Sequence, residues 1–122
     1  MSVLVGMTTF DCTDPQTLGA WWAERTGGKV VKDHGFLVMV ELPPGGTRML
    51  GFHRVDDPTP GKNKVHLDMA SRDRVAEVDA WIAAGAKYVA EHSFGGLTWT
   101  VLEDPEGNQC CISGYPERPS QS

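Results

Sequence analysis

A small set of side chains on predicted strands could do chemistry, and strand parity decides which of them share a face. In Lys64 to Ala70 (KVHLDMA) the residues alternate strictly, with Val65, Leu67 and Met69 forming an apolar face and Lys64, His66 and Asp68 the opposite one. His66 is therefore read as a pocket residue, available as a ligand or an acid–base group. The competing reading is a strand histidine satisfied by Asp68 or Lys64. In Arg48 to Val55, Gly51 and His53 alternate with Leu50 and Phe52, which favours an inward His53. Met7, Thr9 and Asp11 share one face of an early strand, and Asp11 is a candidate base there; its plainer reading is a hydrogen-bonded aspartate near a helix start. Close to the C-terminus, Gln109, Cys111 and Ser113 face one side while Cys110 and Ile112 face the other. Cys111 is a candidate nucleophile or soft ligand, although no base or helix N-terminus is marked beside it, and most such cysteines are small core hydrophobes. Trp99 offers a ring on which a flat ligand could stack.

The elements that must position these residues are legible from local chemistry. Leu4 to Cys12 reads as a first strand. Asp14 is placed as the N-cap of a helix with Pro15 at its first position, since the residue before a proline is pushed out of the α region. Leu18, Trp21 and Trp22 make its apolar stripe, and Gly27-Gly28 ends it. Three β-rich runs follow, Lys29 to Lys32, Phe36 to Leu42 and Arg48 to Val55, and then a linker, Asp56 to Asn63.

After the linker the chain starts again. Lys64 to Ala70 is a strand, and Ser71 or Asp73 caps a second helix in which Val75, Val78 and Ile82 recur before Gly85. Lys87 to Glu91 is a strand, His92 to Gly96 a loop, and the run from Thr98 to Ser113 a hairpin closed at Asp104-Pro-Glu-Gly-Asn108. His34 and His92 are read as loop residues. A short match of Ala20-Trp21-Trp22-Ala23 with Ala80-Trp81-Ile82-Ala83 supports two copies of one βαβββ unit. The expected fold class is α+β: two βαβββ modules forming a curved mixed sheet around a shared cleft, with helices on the outer face. Residues 1–122 are read as one domain, with module one at 1–55, the linker at 56–63, module two at 64–114 and a frayed tail at 115–122.

The bulk properties narrow the function. A chain of 122 residues suffices for one core. A formal charge of −5 argues against nucleic acid and anionic membrane surfaces, which would need clustered Lys and Arg. No signal peptide or spanning segment is evident, so a cytoplasmic location is expected. The three cysteines show no C-x-x-C spacing and are read as free buried thiols.

The element order, the opening run TTFDCTDPQTLGAWWAE, the strand NKVHLDM and the closing LEDPEGNQCCI together resemble the vicinal oxygen chelate superfamily. Within it, the chain is most similar to stand-alone glyoxalase-like domains of the glyoxalase/bleomycin resistance protein/dioxygenase group. That resemblance implies a divalent cation held by one inward side chain from each of the first, fourth, fifth and eighth strands, acting as a Lewis acid or activating dioxygen. The matching places fall on Met7, His53, His66 and Cys111. A thioether is a poor ligand for a hard cation, and Cys111 stands where the family usually has glutamate. His53, His66 and Cys111 are thus the candidate metal ligands, no cofactor is assigned, and a divalent metal is not the favoured reading. Glyoxalase activity itself is disfavoured for the same reason.

Two functions follow. The first is a binding module in which Met7, Thr9, His53, His66, Trp99 and Cys111 hold a small, partly aromatic molecule without transforming it. The second is a lyase, isomerase or dioxygenase acting on a small carbonyl or vicinal-oxygen compound, with Asp11 and His66 as catalytic residues. A homodimer is expected in either case, because open sheet edges invite pairing.

Overall fold

The computed structural model describes residues 5–114, so the readings made for Leu4 and for the tail lie outside the described residues. The chain divides into two compact units, Met1–Thr59 and Pro60–Ser122. Each contains a four-stranded mixed sheet and one helix, an α+β arrangement repeated.

The first module contains β1 (Thr8–Cys12), α1 (Pro15–Thr26), β2 (Lys29–Asp33), β3 (Leu37–Glu41) and β4 (Met49–Arg54). Its sheet runs β1-β4-β3-β2, with β1 and β4 parallel and the other pairs antiparallel. Asp14 caps α1 as expected: its Oδ1 accepts from the Thr17 backbone N–H at 3.1 Å and its Oδ2 from the Thr17 hydroxyl at 2.7 Å. Gly27 ends the helix in the left-handed region, at φ 72°.

The stripe α1 lays on the sheet is rotated from the expected one. Leu18, Gly19, Trp22 and Ala23 are buried, while Trp21 is only half-buried and packs edge-on against Trp22. Gly19 causes the rotation. A Cβ there would lie 2.8 Å from Val38 Cγ1, so the helix turns its bare position toward the strands and comes closer than any side chain would allow. Phe10, Val38, Val40, Leu50 and Phe52 are the strand residues beneath it.

The second module contains β5 (Leu67–Ser71), α2 (Arg74–Ala83), β6 (Lys87–Phe94), β7 (Leu97–Glu103) and β8 (Gln109–Gly114), in the sheet order β5-β8-β7-β6. Asp73 caps α2 through the Ala76 backbone N–H. Val78 and Trp81 are its buried residues, whereas Val75 and Ile82 of the expected stripe are exposed. Trp81 and Trp22 each stand eight residues after their cap. The structural equivalent of Trp81 is therefore Trp22 and not Trp21, as the short sequence match had it.

Three strand boundaries also move, the first being that of β1, which starts at Thr8, so that residues 5–7 of the expected strand, Met7 among them, precede it. β5 starts at Leu67 and not Lys64, because the main chain bends at residues 64 and 65 and leaves Val65 exposed. Asn63 takes over the pairing: its side-chain amide donates to the Gln109 carbonyl at 3.1 Å and its Oδ1 accepts from the Gln109 N–H at 2.7 Å. Similarly, β6 runs on to Phe94, so His92 is a strand residue. Gly95 and Gly96, at φ 59° and 81°, close a two-residue hairpin that needs positive φ at both positions. The Asp104 turn forms as expected, with the carboxylate buried and accepting from the Glu106 and Asn108 N–H groups and the Asn108 side-chain amide.

Each helix covers one face of its own sheet and leaves the other bare. In the second module Arg74 of α2 reaches Thr100 and Glu91, and Cys110 and Ile112 are buried on that same side. Among the described residues, no helix is long and apolar enough to cross a membrane.

Candidate functional site

The register of β5 against β8 builds the strongest constellation. Asp68 pairs directly with Cys111 across the parallel ladder, so both side chains emerge on the bare face about one strand spacing apart. His66 lies two residues before Asp68 and leans to the same side, bringing its Nε2 to 3.2 Å from Asp68 Oδ1. The ligand atoms of His66, Asp68 and Cys111 all fall within 4.8 Å of one another. Asn63 holds the segment leading into His66 through its further hydrogen bond to the Val65 carbonyl at 2.6 Å.

The three groups differ in exposure, and this sets their chemistry. The side chains of His66 and Asp68 are 41% and 76% exposed, while Cys111 is 8% exposed. Burial pushes the Cys111 thiol up from its ordinary range, and the Asp68 charge and a hydrogen bond to that carboxylate push it the same way. Cys111 is accordingly a protonated donor to Asp68 and not a ready nucleophile. Asp68 accepts from the Cys111 thiol and stands 3.2 Å from His66 Nε2. With Nε2 turned toward this carboxylate, His66 leaves Nδ1 for a ligand.

An aromatic row borders this group. Ser113, two residues beyond Cys111 on β8, pairs with Ala70 on one side and Trp99 on the other, and Trp99 pairs with His92. The His92 and Trp99 ring centroids are 5.7 Å apart with a 38° tilt. Paired residues share a face, so Trp99 stands on the same bare face as His66 and Cys111.

The first module offers different chemistry at the same places. Asp11 pairs with His53 and Thr9 with Gly51 across β1 and β4. His53 is on the bare face, as its alternation with buried Leu50 and Phe52 predicts, and its Nδ1 lies 3.9 Å from Asp11 Oδ1. Phe36 meets the His53 ring edge-on at 6.0 Å, and His34 stacks on Phe36 at 6.4 Å. Met7 precedes β1, and like His66 it stands seven residues before its helix cap. Thr9 then corresponds to Asp68, and Gly51, the partner of Thr9, to Cys111.

His53 is therefore two residues away from the place matching Cys111 and corresponds to Ser113. Of the ligand set read from sequence, His66 and Cys111 come together, while His53 is engaged with Asp11 in the other module. Asp68 is the residue that reading undervalued. It appeared only as a partner for His66, although the H-x-D spacing already put it on the same face. Asn63 was read as linker, and nothing local distinguished it.

A cation that accepts nitrogen, oxygen and sulfur together suits the donors of the second module. At the equivalent places Met7, Thr9 and Gly51 supply a thioether, a hydroxyl and no side chain.

The model of the glyoxalase-like domain family matches residues 7–113. Among solved structures, the chain resembles a glyoxalase/bleomycin resistance protein/dioxygenase family enzyme from Burkholderia phytofirmans PsJN, with a TM-score of 0.77 at 20% identity over 91% of this chain and 98% of that one. It also resembles a glyoxalase-related enzyme from Fulvimarina pelagi (TM-score 0.73, 15% identity, 98% and 93% covered). A third likeness is to a genomically encoded fosfomycin resistance protein from Listeria monocytogenes (TM-score 0.76, 8% identity, 95% and 96% covered). At these identities the likeness is one of fold. Among curated proteins no sequence match is found.

Proposed function

The chain belongs to the glyoxalase-like domain family, and from that premise we propose that it is a small-molecule-binding protein whose contact surface includes the bare face of its second module. The observation that carries this reading is the convergence of His66, Asp68 and Cys111 on a sheet face that α2 leaves uncovered, with Trp99 on the same face. A sheet face that carries exposed His66 and Asp68 beside the buried Cys111, with a half-exposed tryptophan, suits a ligand with a flat part and oxygen or nitrogen acceptors and donors. His66 Nδ1 accepts from such a ligand and the Trp99 ring stacks on it. The four-strand ligand set that the resemblance implies is incomplete in this chain, since Met7 and Gly51 replace donors in the first module. That favours capture over metal-dependent turnover.

The experiment is a tryptophan-fluorescence titration of the full chain with a panel of flat, oxygen-bearing aromatic compounds, with product formation followed by chromatography. Saturable quenching that is lost in Trp99→Leu and weakened at least tenfold in His66→Ala is the expected result. The absence of saturable binding across the panel overturns the reading. A second reading, a lyase, isomerase or dioxygenase, draws on the 3.2 Å His66–Asp68 pair, which is oriented as an acid–base couple. Conversion of any panel compound at a rate that falls with His66→Ala or Asp11→Asn selects it over capture.

The homodimer belongs to the same proposal. β2 and β6 are edge strands that carry the exposed Val30, Val31, Tyr88 and Val89, surface that strand pairing between copies would cover. Light scattering that gives a monomer at high concentration removes it.

A further inference from the structure

We infer that Asn63 is a positioning residue of the ligand face: its side-chain amide takes the place of a strand residue beside Gln109 and thereby sets the His66 imidazole against Asp68. The inference deepens the capture reading above and rests on it for what His66 does with a ligand.

His66 is the member of its group that the sheet does not hold. The β5–β8 ladder begins with Leu67 opposite Cys110, so the main chains at Asp68 and Cys111 are paired while His66 precedes the strand. Its side chain is 41% exposed, and α2 covers the opposite face. An imidazole on such a segment has main-chain and rotamer freedom to lose before its Nε2 can stay 3.2 Å from Asp68 Oδ1. A restraint from outside the ladder is required.

Asn63 supplies that restraint from three residues earlier. Its Nδ2 donates to the Val65 carbonyl at 2.6 Å and to the Gln109 carbonyl at 3.1 Å, and its Oδ1 accepts from the Gln109 N–H at 2.7 Å. Both amide hydrogens and the amide oxygen are thereby used. The N–H and C=O of Gln109 are groups that a neighbouring strand would bond, so the side chain extends the ladder in place of the main chain. Residues 64–66 become a short loop anchored on β8 at both ends, by the clasp and by the Leu67–Cys110 pair, and the Val65 bond fixes its middle. A loop closed this tightly samples few conformations, and His66 is its last residue.

The chemistry is particular to asparagine. Aspartate has the same shape without the N–H groups, and it would set a carboxylate against the Val65 and Gln109 carbonyls. Alanine leaves those carbonyls and the Gln109 N–H without this partner. Either change frees the loop while Asp68 and Cys111 stay in register. The effect on a ligand therefore passes through His66.

The test uses the full chain with and without Asn63→Asp, each also carrying His66→Ala. In the ligand-free protein, nuclear Overhauser contacts between the His66 ring and the Asp68 β-protons are expected in the wild type and lost in Asn63→Asp. Tryptophan-fluorescence titration then uses catechol, 4-hydroxybenzoate and 2-naphthol as probes. Asn63→Asp should weaken binding about tenfold in the chain that has His66, and leave it unchanged in His66→Ala. Exchange protection of the Cys111 and Ile112 amides verifies that β8 is still paired, and Asn63→Ala replaces Asn63→Asp if it is not. Ring contacts that persist in the folded variant overturn the inference, as does equal weakening in both backgrounds, which is the mark of a merely structural role. Where no probe binds the wild type, the capture reading falls, and the ring contacts alone decide whether Asn63 positions His66.

Discussion

Met7 Sδ stands 2.9 Å from the point that a Cβ on Gly51 would occupy, so a thioether in the first module fills the space that corresponds to the Cys111 side chain in the second. Met7 Cε at 3.1 Å and Thr9 Oγ1 at 3.0 Å crowd the same point. Gly51→Ala is therefore expected to cost about 1–2 kcal/mol by overpacking, less than a clash with backbone would, because the thioether is the far end of a flexible chain. In a double-mutant cycle read by urea denaturation, Met7→Ala should recover most of that loss. Additive effects would mean that Met7 does not fill the space.

Gly19→Ala tests the close approach of α1. Helix propensity alone predicts a gain of nearly 1 kcal/mol for replacing an interior glycine. The added Cβ meets Val38 Cγ1 at 2.8 Å, and Val38 is itself pinned beneath the helix. The expected net result is a loss of about 1–3 kcal/mol, seen as a lower midpoint in urea. Val38→Ala in the same chain should reverse the sign of the Gly19→Ala effect.

The turn before β8 depends on one buried carboxylate. Removing it in Asp104→Ala leaves the Glu106 and Asn108 N–H groups without their acceptor, at an expected cost of about 2–4 kcal/mol. Asp104→Asn keeps one acceptor oxygen and should lose distinctly less. Hydrogen exchange of the Glu106 and Asn108 amides reports the same loss locally.

Stability should also fall at alkaline pH. The Cys110 thiol is pushed from its ordinary 9.0 up to about 12, first by burial and then by the charges of Asp104 and Cys111. Between these values the unfolded chain gives up the thiol proton while the folded chain keeps it, so the folded state binds more protons and loses stability as pH rises. Urea midpoints measured from pH 8 to 11 should decline in the wild type and decline less in Cys110→Ala. Equal slopes would show that the thiol is not the group responsible.

What the sequence made legible was what is decided locally. The Asp14-Pro15 start and Gly27 stop of α1, the Asp104 turn and the alternation around His53 and Cys111 each rest on neighbours a few residues apart, and each appears in the structure, whereas the alternation around His66 holds only from Leu67 onward. What it left hidden depends on distant partners. β5 begins late because the Asn63 side chain pairs with Gln109, a contact no local pattern encodes. The stripe of α1 is rotated because Gly19 meets Val38 across the layers. Asp68 became a candidate donor only through its register with Cys111, and a parallel register cannot be counted along the chain. Conversely, His53 sat on the correct face and still missed the place matching Cys111 by one full alternation.

Trp22 and Trp81, each eight residues past a capping aspartate, hold the same place in the two modules, and both are buried. On the faces that the helices leave uncovered the two modules differ: Met7 against His66, Thr9 against Asp68, Gly51 against Cys111. The modules are thus alike where a helix packs on the sheet and unlike on the opposite face. One frame therefore presents an imidazole, a carboxylate and a thiol in the second module, and a thioether, a hydroxyl and a bare glycine at the matching places of the first.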